Sequence, residues 1–210
     1  MKVLWDDFKF IGYTMRHPFE GFYELRFRRK RNWPLIVGIY LMVGVVEVLR
    51  LYYTGLVAGA FRVVQVNPMF VLLTTVVPFL LFALSNWSVT TLFDGNGKLG
   101  DVFMVIAYAL APKLVLDLMF IGLSNVVIAP EMALLHAISI FGFIIFGFLL
   151  FCGLCVAHEY NPAKCIVTII ATLVASLVIV FMVAVYLILI GRFIGLVSTV
   201  ITEITRRGIF

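Results

Sequence analysis

Residues 132–156, MALLHAISIFGFIIFGFLLFCGLCV, run for twenty-five positions without an Asp, Glu, Lys or Arg. A helix needs about 20 apolar residues to cross a hydrocarbon core of about 30 Å, so this stretch can span a bilayer. Working outward from it, 34–55, 68–93, 102–122 and 163–190 meet the same requirement. Pro34, Pro68 and Pro162 stand at or just before the expected helix starts, where a missing N–H leaves no bond unmade. The connections, 59–67, Asp94-Gly95-Asn96-Gly97, 124–131 and 157–162, are short and rich in turn residues. No soluble domain fits between the spans.

Composition points the same way. Of 210 residues, 63% are apolar and 13% charged, against a usual charged share of about 25%. A soluble globule cannot hide that much apolar surface, which excludes an ordinary cytosolic enzyme or nucleic-acid module. The sequence predicts an all-α polytopic membrane protein, a five-span helical bundle with amphipathic interfacial helices at both ends. It divides into an amphipathic, basic segment over 1–33, a membrane domain over 34–190 and an amphipathic tail over 191–210. No cleavable signal is expected, because the first long apolar run begins only at Pro34.

The net charge of +5 is unevenly spread, with 8 of the 16 Lys and Arg in residues 1–33. Arg26, Arg28, Arg29, Lys30 and Arg31 fall within six positions. A basic run beside a span reads as a lipid-facing flank against anionic headgroups of the cytoplasmic leaflet, worth about 1 kcal/mol per residue. Nucleic acid is not the expected partner. With the N-terminus inside, 10 basic residues collect on the cytoplasmic side, including Lys98 and Lys164. The other side then holds 4: Arg62, Arg192, Arg206 and Arg207. That asymmetry favours a cytoplasmic N-terminus.

Both flanks have interfacial patterns. Leu4, Phe8, Ile11 and Met15 recur at helical spacing opposite Asp6, Asp7 and Lys9; Pro18 then interrupts, and Phe19, Phe22 and Tyr23 form a second aromatic anchor. Past residue 190, Phe193, Leu196, Val197, Val200, Ile201 and Ile204 line one helical face. That face either lies in the headgroup layer or extends the last span.

Ionisable groups inside spans are costly and mark candidate sites. Four fall there: Glu47 and Arg50 in the first span, Lys113 and Asp117 in the third. Each pair sits at i,i+3 or i,i+4 on its own helix. These two spans run in the same direction, and their midpoints place Glu47 level with Lys113 and Arg50 level with Asp117. The depth differences are only about 2 Å and about 1 Å at roughly 1.5 Å per residue. Glu47–Lys113 and Arg50–Asp117 contacts are therefore expected. Pro112 removes a hydrogen bond to the carbonyl of Tyr108, marking a helix break beside Lys113; Pro78 does the same in the second span.

Cys152, Cys155, His158 and Cys165 contain zinc-ligand types, but their spacing shares only its first pair with zinc knuckles and straddles a membrane boundary. Packing thiols are the expectation, with no metal, cofactor or disulfide. His136 reads as an interfacial or interhelical hydrogen bonder. The one glycosylation-type triplet, Asn86-Trp87-Ser88, lies inside a span. No G-x-S-x-G, H-E-x-x-H, P-loop or paired-Asp motif is present. His158-Glu159 has no nucleophile near it in sequence. An enzyme is not expected.

Several segments together resemble the Yip family of Yip-domain integral membrane proteins. They are His17-Pro18-Phe19-Glu20-Gly21-Phe22-Tyr23, Asn86-Trp87 through Thr91-Leu92-Phe93-Asp94-Gly95, Tyr108-Ala109-Leu110-Ala111-Pro112, and His158-Glu159-Tyr160 with Lys164. Ala107 stands where the family commonly has Gly. The resemblance covers roughly 16–185 and implies five spans with a cytoplasmic N-terminus. Eukaryotic members bind Rab-type GTPases and one another in the early secretory pathway. This chain lacks their long N-terminal region, so a bacterial plasma-membrane relative is expected and GTPase binding is not carried over.

Two functional readings follow. The first is a non-enzymatic scaffold or adaptor that binds other membrane proteins or itself, or organises the bilayer through anionic lipids. Gly142 and Gly147 offer close helix contact without forming a G-x-x-x-G pair. The second is a small transporter or channel subunit using Glu47, Arg50, Lys113 and Asp117 around Pro112.

Overall fold

The computed structural model describes residues 2–55 and 66–206 of the chain. Arg62, Arg207 and most of the 59–67 connection, all used in the orientation argument, lie outside the described residues, as do the Leu4 and Phe8 side chains. The described residues form seven α-helices: α1 (Lys2–Arg16), α2 (Pro18–Phe27), α3 (Trp33–Tyr53), α4 (Pro68–Leu92), α5 (Leu99–Ser124), α6 (Met132–His158) and α7 (Pro162–Arg206). A single 3₁₀ turn, Ala129–Glu131, precedes α6. Helices α3 to α7 are each long and apolar enough to cross a membrane, so the chain is a polytopic helical membrane protein.

Local chemistry sets the helix starts. Asn32 Oδ1 accepts from Leu35 N at 3.3 Å, with Pro34 in the first turn of α3. Asn67 Oδ1 accepts from Met69 N at 2.9 Å before α4. Asp101 Oδ2 accepts from Lys98 N at 2.9 Å at the start of α5. Each satisfies a donor that has no partner within the helix.

Helix α5 is the hub. From Asp101 to Lys113 every side chain but Phe103 is buried, as befits a helix apolar on all sides. Helices α3, α4 and α6 pack around it, and α7 rests mainly on α4. Helix α2 folds back onto α6. Its Phe22 comes so close to Gly153 that a Cβ there would lie 3.1 Å from the Phe22 ring and 2.5 Å from Val105 Cγ1. Both Pro112 and Pro78 sit inside uninterrupted helices, correcting the expected break at Tyr108 and Pro112. A proline removes one N–H bond, and the flanking turns of a tightly packed helix carry the axis through.

Helix α7 runs without interruption past residue 190, so the C-terminal amphipathic stretch extends the last span as one 45-residue helix. At 1.5 Å per residue it is about 67 Å long, roughly twice the hydrocarbon thickness. Only Cys165, Thr168 and Thr172 are buried along it, and nearly every side chain from 177 onward is exposed.

Candidate functional site

The four charges within spans gather between α3, α5 and α6. Lys113 is 6% exposed and Asp117 4%. The two are joined by a short hydrogen-bonded ion pair one turn apart on α5. Arg50 approaches from α3, with Nη1 3.9 Å from Asp117 Oδ1 and 4.0 Å from Glu47 Oε2. Its Nη2 lies 3.4 Å from Ser139 Oγ on α6. Two rings complete the shell: Phe120 lies 4.2 Å below the Arg50 guanidinium, and Phe143 lies 4.4 Å from Lys113 Nζ. The expected Glu47–Lys113 contact does not form. Lys113 turns along its own helix to Asp117, and Glu47 stays beside Arg50 with 40% of its side chain exposed. The roll of α3 about its axis leaves Glu47 partly exposed, away from Lys113. Two acids against two bases leave the cluster neutral, which lowers the cost of burying it.

A second polar cluster caps the end of the bundle where α3, α5 and α7 begin. Arg26, from α2, is its clasp. Nη1 donates to the Val156 carbonyl at 2.7 Å, and Nη2 donates to the Asn96 carbonyl at 3.2 Å while lying 3.0 Å from Glu159 Oε1. Asn96 Nδ2 in turn donates to Glu159 Oε2 at 3.2 Å. One guanidinium thus ties the pre-span helix to the α4–α5 loop and the α6–α7 turn. Arg31 makes a short ion pair with Asp101, the residue that caps α5.

The expected lipid-facing basic run is therefore split. Arg26 and Arg31 point into the protein, and the Arg29 guanidinium lies 3.8 Å from the Phe10 ring. Arg28 and Lys30 remain exposed. A guanidinium can take several carbonyl and carboxylate oxygens at once, and the chain reversals at 94–97 and 158–161 offer them.

Beneath this clasp lies a hydrogen-bonded chain in the core. Thr172 Oγ donates to the Thr168 carbonyl at 2.6 Å, so it accepts from Asn86 Nδ2 at 3.0 Å. Asn86 Oδ1 is left to accept from His158 Nε2 at 3.0 Å. His158 is 2% exposed, and its Nδ1, like Ser85 Oγ, has no hydrogen-bond partner among the described residues. Gly95 and Gly97 pass directly over that imidazole: a Cβ at either would lie within 2.8 Å of Nδ1. Tyr160 stacks on His158 at 5.4 Å, and its hydroxyl donates to the Phe93 carbonyl at 3.0 Å. Burial raises the Tyr160 phenol above its ordinary pKa, with Asp94 adding to the effect.

Asp94 and Glu159 end α4 and α6 in the left-handed region, at φ 54° and 56°. This conformation is costly for a residue with a Cβ and usually goes to glycine. Each is held by a backbone bond across the reversal, Gly95 N to Thr90 O at 2.9 Å and Tyr160 N to Cys155 O at 3.0 Å.

Sequence reasoning passed over this cluster. In sequence, His158 and Glu159 read as a dyad, as a zinc-ligand type and as part of a resembling segment, none of which pairs Glu159 with Arg26 across 133 positions. The signal was available in the segments at 17–23, 86–95 and 158–160, each singled out separately and all meeting here. Cys152, Cys155 and Cys165 are buried free thiols. Among the described residues, no group of three or more His, Cys, Asp or Glu side chains could hold a metal ion. A family model described as the Yip1 domain matches residues 12–185. No curated protein and no solved structure matches the chain.

Proposed function

This chain belongs to the Yip1 domain family, and we propose that it works as a non-enzymatic scaffold or adaptor that holds other membrane proteins or organises the bilayer around itself. One observation carries the reading: the intramembrane charges are occupied with one another. The Lys113 ammonium is spent on Asp117 and faces the Phe143 ring. The cavity that runs along α5 past Ala111, Pro112, Leu114 and Val115 does not have Lys113 in its wall. A carrier would expose that ammonium to a polar path; a recruiting protein needs only a stable bundle with surface to offer.

That surface is largely on α7, where Phe181, Tyr186, Leu189 and Phe193 are all outward. The same reading places the N-terminus in the cytoplasm and the protein in a bacterial plasma membrane, with Arg28 and Lys30 toward anionic headgroups. Native mass spectrometry of gently solubilised complexes tests it. A co-purifying membrane protein that is lost when the outward Phe181 and Tyr186 of α7 are changed to Ser supports recruitment. Solute or ion flux in liposomes that Lys113→Met abolishes would replace the adaptor with a conduit.

A further inference from the structure

Helices α1, α3 and α5 leave a groove of about 700 Å³ between them, within the range of about 300–1,000 Å³ that small-molecule sites occupy. Its walls are Ile11 and Met15 of α1, Leu35, Ile39 and Met42 of α3, and Ala111, Pro112, Leu114 and Val115 of α5. The groove rises from Pro34, at the start of α3, to Pro112, halfway along α5. Lys9, Gly12 and Met15 also line an adjoining pocket of about 590 Å³, whose other walls are Tyr13, Arg16 and His17. An apolar trough thus opens into a mouth where Lys9 and Arg16 stand beside Tyr13, whose side chain is hydrogen-bonded to Glu20. Two glycines keep the trough clear: a Cβ at Gly12 or Gly38 would meet nothing within 4 Å, although both residues line the groove.

We infer that this groove seats one acyl chain of an anionic glycerophospholipid, with the phosphate at the mouth formed by Lys9 and Arg16. The polarity of the site matches an amphiphile lying parallel to α3. Hydrocarbon meets Leu35, Ile39 and Met42 on the way up to Pro112, and the phosphodiester meets two cations where the groove opens. An extended peptide is a poorer match, since a bare apolar trough leaves its carbonyls and amides unpaired. The bilayer supplies the lipid at high local concentration. The inference stands apart from the adaptor reading, because occupancy is measured without any protein partner.

The test titrates the full chain, delipidated in detergent, with phosphatidylglycerol or with phosphatidylcholine and follows bound lipid by native mass spectrometry. One phosphatidylglycerol is expected to bind about tenfold more tightly than phosphatidylcholine, and Lys9→Gln with Arg16→Gln removes that preference. Gly38→Leu and Gly12→Leu fill the trough without a clash at Cβ, and each replaces a glycine within a helix, so both fold. Each is expected to weaken phosphatidylglycerol binding at least tenfold. Gly147→Leu, at an equally open site on α6, binds lipid as the parent does. Unchanged binding by Gly38→Leu and Gly12→Leu overturns the proposal. So does equal displacement of the lipid by inorganic phosphate, which would place recognition at the mouth alone. A dimer that Gly38→Leu dissolves would assign the groove to a second copy instead.

Discussion

Arg26 Nη2 lies 3.0 Å from Glu159 Oε1, joining the helix before the first span to the turn before the last. The two partners are unequal. The Arg26 side chain is 10% exposed and also donates to two backbone carbonyls, whereas Glu159 is 49% exposed. Arg26→Ala is expected to cost about 2–3 kcal/mol, because it removes charge-assisted bonds to the Val156 and Asn96 carbonyls together with the Glu159 pair. Glu159→Gln is expected to cost less than about 1 kcal/mol, since solvent already screens that carboxylate. Swapping the pair, Arg26→Glu with Glu159→Arg, does not restore stability, because glutamate cannot donate to Val156. Thermal unfolding in detergent, followed by tryptophan fluorescence, gives the ranking.

The charges within the spans behave as a unit. Lys113→Met strands a buried carboxylate and is expected to destabilise by about 3–5 kcal/mol. Adding Asp117→Leu recovers part of that loss. Arg50→Asp with Asp117→Arg retains more stability than either single reversal. Glu47→Lys with Lys113→Glu does no better than the worse single change, since those residues do not touch. Denaturant unfolding of the eight variants in one detergent separates the two pairings.

Gly153 sets how closely α2 and α5 approach α6. Gly153→Val drives methyl groups into Val105 and Phe22 and is expected to cost about 1–3 kcal/mol. Val105→Ala makes room on one side, so the double variant is more stable than Gly153→Val alone. A missing rescue would mean that Phe22, not Val105, bears the strain. Melting temperatures of the three proteins decide it.

Tyr160 adds a pH dependence at the alkaline end. Its folded pKa is raised above the ordinary value of about 10, so the folded state holds the phenolic proton more tightly than the unfolded one. The associated stability is complete below pH of about 10 and falls as pH rises toward the folded pKa. Tyr160→Phe removes the bond to Phe93, costing about 1 kcal/mol at neutral pH, and flattens the decline above pH of about 10. Unfolding free energies measured across neutral to alkaline pH report both effects.

Much of the membrane domain was readable along the chain. The spans expected at 68–93 and 132–156 correspond to Pro68–Leu92 and Met132–His158, because hydropathy sums over neighbours in sequence and helix-starting prolines act locally. Depth was readable too, since rise per residue is constant; Arg50 and Asp117 do meet. Azimuth was not. Which face a residue occupies depends on how each helix is rolled against the others, and that roll put Glu47 outside and Lys113 against Asp117. The basic run was read by its charge density, but Arg26 and Arg31 are directed by oxygens belonging to turns far away in sequence.

Hydrophobic length, proline punctuation and the placement of charges along the chain were enough to establish a five-span helical membrane protein with a basic leading segment. All of these are properties of neighbouring residues. Folding alone decided that segments at 17–23, 86–95 and 158–160 converge on one capped end, that α7 continues as a single helix, and that a groove opens between α1, α3 and α5. Such contacts act over a few ångströms between residues many tens of positions apart, and only packing in three dimensions selects which of them form.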